Sequence, residues 1–456
     1  APHQISKFSL SAFDAERLFQ CLYHLGRVGS VYVLSSACPA SLMPKTIDSS
    51  PVLSGWLWGL LWAALVISAL ILRPILPIDE TRYMSVAWEM WLRNDYLVPH
   101  LNGEIYSHKP PLLFWLINVG WAIFGVNDIW PRLVAPIFGL GCLAMTSLLG
   151  RRWWPESSAQ FLAPILLLGC YFWGIFTTLT MFDLILTFWT LVGLYSLTIA
   201  WSGKLWSGWI FFGCAIGLGV LSKGPVILVF LLPSALLAPF WALGITRPSW
   251  VKWYAGLVFS ILIGVSLSLT WAFPAGDAGG EAYSSAIFWG QSAGRVFDSF
   301  AHQKPFWWYL AILPALLLPW VISPSLAKCL WLSLKNWRLT KDQTPNPGLR
   351  LALVWAVSAL LILSVFSGKQ PHYLLPIFPA IALACALLLA KLSVSEIVRV
   401  SWDLAPISVT SILIGITILL IPFITTYIGK PEYSEGVSLL WSTPLIIAGL
   451  FMLIRP

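Results

Sequence analysis

The ionisable residues of this chain are few, and they gather in short strings. The first string is Asp79-Glu80-Thr81-Arg82-Tyr83, and the second is Tyr106-Ser107-His108-Lys109-Pro110-Pro111. Asp183 follows Thr180-Met181-Phe182, and Lys223 stands in Ser222-Lys223-Gly224-Pro225. Arg295 lies in Gly294-Arg295-Val296. His302-Gln303-Lys304-Pro305-Phe306-Trp307 and Lys369-Gln370-Pro371-His372-Tyr373 complete the set. Cations so placed can contact a phosphate, and cations mixed with a few carboxylates suit a site for an anionic group. Each residue also has a bland reading. Asp79 at the head of a helical stretch reads as an N-cap, Lys109 before a double proline as a snorkelling cation, and Lys223 as a membrane anchor.

The frame that must position these residues is not a soluble one. Of 456 residues, 58% are hydrophobic and only 10% are charged, with a mean hydropathy of +0.80. Soluble domains carry about 25% charged residues, so soluble enzymes, disordered chains and secreted disulfide scaffolds are excluded. The 28 Trp suit rings seated at a membrane–water boundary. A net charge of +8 would suggest nucleic acid in a soluble protein. In a membrane protein, what matters is the side on which the charge sits, and no nucleic-acid partner is expected. The seven cysteines, 21, 38, 142, 170, 214, 329 and 385, avoid the expected outer loops. They read as small buried hydrophobes.

About 20 mainly apolar residues cross the hydrocarbon layer as a helix. Such runs fall at 52–76, 131–150, 159–178, 184–201, 205–222, 225–245, 253–274, 306–325, 349–366, 373–390, 404–427 and 437–454. A shorter run, 111–126, is read as interfacial or re-entrant, because counting it as a span would put the basic hairpins from Arg151 onward outside. With twelve spans and both termini inside, thirteen basic and four acidic residues fall on the inner side. Ten basic and twelve acidic residues fall on the outer side, as the positive-inside rule requires. The expected fold class is therefore an all-α polytopic membrane bundle. Its domains are an N-terminal extension or cytosolic tail over 1–50 and a transmembrane catalytic domain over 51–456. The natural start is expected near Met43, with the cytosolic tail as the alternative.

All the strings that could do chemistry lie on the outer side of this topology. So do His100, His108, His302 and His372. Two outer loops are long, about 77–130 and 275–305, and long loops in compact folds are usually functional. In the first, Tyr83, Val86, Ala87, Met90 and Trp91 recur at helical spacing and make one apolar face. Glu89 and Arg93 form an i,i+4 pair. A helix so patterned lies on the membrane surface. Together the cations and carboxylates suit an anionic headgroup such as a lipid phosphate, and ionisable residues at membrane depth are functional candidates.

Asp79 through Tyr83, Pro99-His100-Leu101-Asn102-Gly103 and Tyr106 through Leu112 resemble the aminoarabinose transferases that modify lipid A. These group with the protein O-mannosyltransferases among the GT-C membrane glycosyltransferases. The segments 222–225, 302–307 and 369–376 resemble that family in the same order. The resemblance implies a GT-C-like bundle and inverting transfer of a sugar from a polyprenyl phosphate, in the bacterial inner membrane with the site facing the periplasm. The implied acceptor is lipid A, lipopolysaccharide or another periplasmic lipid or glycan. It implies Asp79 at the reaction centre, with Asp183 as a second acid, and Arg82, Lys109, Lys304 and Lys369 on the lipid phosphate. Tyr106 and Tyr373 are implied as headgroup contacts. Glu80, Tyr83, His108, Arg295 and His302 are grouped with the substrate-binding set. No cofactor is expected with certainty. The family often carries Glu where His108 stands, a position associated with a metal, and His108 with His302 alone is a weak divalent-metal site. The family also continues into a periplasmic domain, whereas this sequence reaches Pro456 after the twelfth span, so no soluble C-terminal domain is expected.

The alternative is a transporter or flippase for an anionic lipid, which calls for polar residues at mid-span and paired broken helices. The polar residues cluster at span ends instead. An inactive scaffold would not need Asp79, Arg82 and Lys109 together. The topology is testable: a Gln303→Cys variant is expected to react with a membrane-impermeant thiol reagent from the outer side, and protection there overturns the twelve-span arrangement.

Overall fold

The computed structural model describes residues 51–242, 248–290, 303–337, 346–390, 400–429, 434 and 442–454. The expectations for 1–50, Arg295 and His302 lie outside the described residues. The described residues are helical nearly throughout, because a backbone in lipid must satisfy its own hydrogen bonds. Among the described residues only one short hairpin is extended, with His100–Leu101 (β1) pairing antiparallel with Glu104–Ile105 (β2).

The described residues of each of the twelve expected apolar runs are mostly helical. Pro51–Leu72 (α1) is followed by the surface helix Asp79–Arg93 (α2), Leu112–Phe124 (α3) and Ile129–Trp153 (α4). Ala159–Leu168 (α5) and Tyr171–Thr177 (α6) meet at a 74° bend. Phe182–Trp201 (α7) and Leu205–Lys223 (α8) form the central hairpin. Ile227–Leu236 (α9), Ala238–Trp241 (α10), Trp250–Ser285 (α11), Trp308–Leu316 (α12) and Pro324–Trp337 (α13) follow. Pro347–Val365 (α14), Phe378–Ala390 (α15), Val400–Tyr427 (α16) and Ser442–Ile454 (α17) complete the order. Among the described residues, seven helices are long and apolar enough to cross a membrane, or eight with the bent pair as one span. The rest of the expected twelve appear as shorter apolar helices or helix fragments. The run 306–325, for example, is cut into α12, a 3-10 turn at Trp320–Ile322 and the start of α13. Prolines 314, 319 and 324 withhold the donors a continuous helix needs there.

Two expectations need correction. The span expected to end at 274 continues helically to Gly279, kinks at Gly280 (φ 81°, ψ 175°) and resumes as helix to Ser285, so the loop expected over 275–305 begins as helix. The continuation buries Ala275 and Tyr283 against Val98 and Leu221, and the Trp271 indole donates to the Leu97 carbonyl at 3.0 Å. Tryptophan, moreover, does not only line the boundary. Trp173, Trp209, Trp253 and Trp355 are fully buried. Trp201, Trp241, Trp209 and Trp253 pack ring to ring, with centroids 4.7–6.4 Å apart, and fill the end of the bundle opposite Asp183.

Small residues let the central helices touch. A Cβ on Gly208 would sit 2.4 Å from the Ala200 nitrogen, and one on Gly213 would sit 2.7 Å from the Ser260 oxygen. The α16–α17 hairpin uses the same device, with Gly415 against the Ser442 carbonyl and Gly449 against the Ser408 carbonyl. Without a hydrophobic force between helices in lipid, such close approach is what holds them. Asp403 fastens this hairpin to the bundle by accepting from the Ser323 hydroxyl at 2.7 Å and the Ser325 amide at 2.9 Å. Large apolar side chains such as Val251, Val258 and Phe423 point outward, as a lipid-facing surface requires.

Gly208→Val is expected to lower stability by about 1–3 kcal/mol through overpacking of α7 on α8. Gly59→Ala, where a Cβ meets nothing within 4 Å, is expected to leave stability unchanged. Thermal unfolding in detergent reads both.

Candidate active site

The surface helix α2 forms because its apolar face has a partner. Tyr83, Val86, Ala87 and Met90 are buried against α3 and the start of α7, while Trp91 packs at the edge of the same cluster. Glu89 and Arg93 pair at 3.6 Å on its outer side, and Glu89 also accepts from the Gly103 amide in the hairpin turn. The N-cap reading of Asp79 does not hold. Ile78 occupies the cap position, no side chain caps the helix, and Asp79 is its first residue.

A tight turn presents Asp79. Ile78 has φ 76° and ψ −70°, and the Asp79 amide donates to the Pro77 carbonyl at 3.1 Å, closing a three-residue γ-turn. A β-branched residue at positive φ is strained, at a cost of about 1–3 kcal/mol, and such strain gathers at functional sites. The Asp79 carboxylate remains 45% exposed, open to a reactant, and pairs with the Arg82 guanidinium one turn on. The Tyr83 hydroxyl donates to Asp79 Oδ1 at 3.3 Å. Burial, then the nearby Asp79 charge, pushes the Tyr83 phenol well above its usual range, so it stays a donor.

Asp183 comes from another element. It sits in the first turn of α7, buried, and the Lys223 ammonium at the end of α8 pairs with its Oδ1. Lys223 also lies 4.6 Å from the centroid of the Tyr373 ring. Lys109 lies 5.8 Å from the centroid of the Phe182 ring, and both Lys109 and His372 interact electrostatically with Asp183. Phe182, Phe114 and Tyr83 form an edge-to-face stack, with Tyr83 and Phe182 centroids 4.9 Å apart. This apolar wall separates the two acids without isolating them. Tyr83 feels the charges of both Asp79 and Asp183. His372 interacts with Asp183, Lys223, Lys109 and Asp79 together. Tyr106 is buried and stacks on the exposed His108, with centroids 5.3 Å apart.

The structure thus brings together Asp79, Arg82, Tyr83, Tyr106, His108, Lys109, Asp183 and Tyr373. It treats three expected substrate groups differently. Glu80 is 1% exposed and spends its oxygens on the Arg73 guanidinium, the Leu76 amide and the Thr180 amide. Burial alone would raise its pKa; these donors outweigh it and hold the carboxyl below the ordinary Glu range. Lys369 is also buried. Its ammonium donates to the carbonyls of Lys304, at 2.9 Å, and Phe366. Burial lowers its pKa, and it ties the 303–305 segment to the end of α14. Lys304 has an exposed side chain and joins this strap through its backbone. Lys223 and His372 stand in the candidate strings without an assigned substrate role, and Arg73 lies outside those strings. Lys223 and Asp183 are 40 residues apart, and no local pattern announces that pairing.

No group of three His, Cys, Asp or Glu side chains suited to a metal occurs among the described residues. His108 is stacked on Tyr106, and the described residues do not assemble a donor set around it. A separate cleft of about 600 Å³, lined by Arg152, Trp153, Thr198, Trp201 and Trp241 among others, opens at the far ends of α4 and α7. None of the described residues that line it carries a carboxylate.

Comparison with known proteins bears on the fold. The chain superposes on ArnT from Cupriavidus metallidurans, solved bound to undecaprenyl phosphate, with a TM-score of 0.68 at 19% identity. The match covers 88% of this chain and 71% of that one. The chain thus shares the fold of that structure, in a multi-pass membrane arrangement. Residues 108–271 match the family described as dolichyl-phosphate-mannose-protein mannosyltransferase. In sequence the chain is similar to the undecaprenyl phosphate-alpha-4-amino-4-deoxy-L-arabinose arabinosyl transferases. It is 31% identical over 316 residues to transferase 2 of Pseudomonas fluorescens strain Pf0-1, covering 67% of this chain and 54% of the relative. It is 28% identical over 344 residues to that of Erwinia tasmaniensis, covering 72% and 58%. The chain therefore spans little more than half the length of these curated relatives.

Lys223→Met leaves the buried Asp183 carboxylate without its ion-pair partner and is expected to cost about 3–5 kcal/mol. Adding Asp183→Leu is expected to recover most of that loss, because two apolar groups replace the pair. Thermal unfolding of the two variants in detergent checks the difference.

Proposed function

We propose that this chain is an inverting glycosyltransferase that moves a sugar from a polyprenyl phosphate to a membrane-associated acceptor, working on the periplasmic side of a bacterial inner membrane. Residues 51–456 make up its transmembrane catalytic domain. The observation that carries the reading is the convergence of an accessible carboxylate, Asp79, with Arg82, Lys109 and the buried Asp183–Lys223 pair at one end of the bundle. The likeness to the aminoarabinose transferases supports 4-amino-4-deoxy-L-arabinose as the sugar and a lipid A-type acceptor.

In this reading the donor lies with its lipid tail in the membrane and its phosphate beside Lys109 and Arg82. The acceptor oxygen attacks the anomeric carbon from the face opposite the phosphate. The new oxygen–carbon bond forms as the carbon–phosphate oxygen bond breaks, and the electron pair leaves on the polyprenyl phosphate. Asp79 orients the acceptor and takes its proton. Lys109 and Arg82 neutralise the charge that grows on the leaving phosphate. Asp183 holds Lys223 and draws Lys109 and His372 around the phosphate end of the site. Tyr106 and Tyr373 supply ring faces for the headgroup. The positive-inside count supports the periplasmic orientation.

The test uses the purified protein with undecaprenyl phosphate-linked aminoarabinose and lipid A, with other undecaprenyl-linked sugars as competitors. Asp79→Asn and Asp79→Ala are each expected to lower the transfer rate by about 10²–10⁴-fold. Retained transfer in both variants removes Asp79 as the carboxylate of the reaction.

A further inference from the structure

Resting on that reading, we infer that Glu80 is a positioning residue: clamped with Arg73 across two distant segments, it fixes Asp79 against the Asp183 end of the site and does not contact substrate. The clamp is continuous. Glu80 Oε1 accepts from the Thr180 amide at 2.7 Å and from Arg73 Nη2 at 3.0 Å. Glu80 Oε2 accepts from the Leu76 amide at 2.8 Å and from Arg73 Nη1. Arg73 Nη2 reaches on to the Thr178 carbonyl at 2.7 Å. One carboxylate and one guanidinium thus join the exit of α1, the turn before α2 and the segment entering α7. Arg132 completes the frame from α4. Its guanidinium donates to the carbonyls of Ala69, at 2.8 Å, and Arg73, at 2.7 Å.

The two ends of this clamp lie beside the two acids. Glu80 directly follows Asp79, and Thr180 stands three residues before Asp183. The strained turn at Ile78 gives the clamp something to hold. Leu76 precedes that turn and Glu80 follows it, so the Leu76 amide bonded to Glu80 staples it shut. Without the staple, Ile78 can leave positive φ and Asp79 shifts with it. The chemistry of the pair suits this task. Four well-placed donors around one buried carboxylate saturate its acceptors, and the planar guanidinium fits it in bidentate fashion. A residue so engaged has no lone pair turned to a ligand.

The experiment compares Glu80→Gln and Arg73→Gln with the parent protein in bilayer nanodiscs. Gln at 80 presents an amide N–H toward the donors of Leu76 or Arg73 and breaks one side of the clamp. Arg73→Gln removes the guanidinium while Glu80 keeps its two backbone donors. Positioning predicts that kcat falls on the order of 10²-fold, since a shift of about 1 Å at a reacting group costs that much. The donor KM stays within about twofold, because no donor contact is lost. Spin labels at Ser85→Cys on α2 and Thr178→Cys before α7 are expected to give a narrow distance distribution in the parent and a broadened one in both variants. A rise in donor KM at unchanged kcat assigns Glu80 to the substrate and overturns the inference. So does an unchanged distance distribution. A loss of folded protein with unchanged kcat per folded molecule makes the clamp merely structural, which also overturns it. Absence of transfer in the parent defeats the glycosyltransferase reading, while the spin-label distances still judge the clamp.

Discussion

A carboxylate at membrane depth is tolerable only when its charge is met, and this constraint organises the reactive end of the bundle. Asp183 is 1% exposed, and the idealised cost of burying an ion in so apolar a medium runs to many kcal/mol. The Lys223 ammonium meets that charge only if the start of α7 and the end of α8 are brought side by side. Two antiparallel helices joined by the short turn at 202–204 achieve this, provided their faces approach closely over their whole length. Gly208 on α8 permits that approach against Ala200, and the tryptophans at the far end fill the space that remains. The ion pair therefore depends on packing some 20 residues away from it along the chain.

The second acid is governed by different physics. Asp79 lies on a surface helix, partly exposed, where pairing with Arg82 is worth little energetically and leaves the carboxylate available. Its location is instead set by backbone geometry, through the positive-φ turn at Ile78 and the hydrogen-bonded Glu80–Arg73 unit behind it. One acid is thus held by charge and the other by a stapled turn.

Much of this was legible along the chain. The apolar face of α2, from Tyr83 to Met90, follows directly from helical periodicity, since burial needs only neighbours three and four residues apart. The helical character of all twelve apolar runs was equally plain. Their interruptions were less so. The bend between Leu168 and Tyr171 and the break of 306–325 into pieces reflect where prolines and neighbouring helices leave room. Glu80 and Lys369 have partners that the sequence does not announce, for a common reason. Both belong to charged strings beside residues of the site, and both turn instead to backbone donors or carbonyls that lie far off in sequence or in the next loop.

The sequence by itself determined that the chain lives in a membrane, that its helices run where they do, and that its chemistry is confined to a few charged strings at helix ends. Those properties follow from composition and local periodicity, because the cost of unpaired polar groups in lipid acts on every residue separately. The tertiary structure alone decided which charges meet. Asp183 finds Lys223, Glu80 finds Arg73 and Thr180, and His372 comes within range of both acids. Pairings across 40 or 100 residues depend on the distance and angle at which helices pack, and one-dimensional patterning does not carry that information.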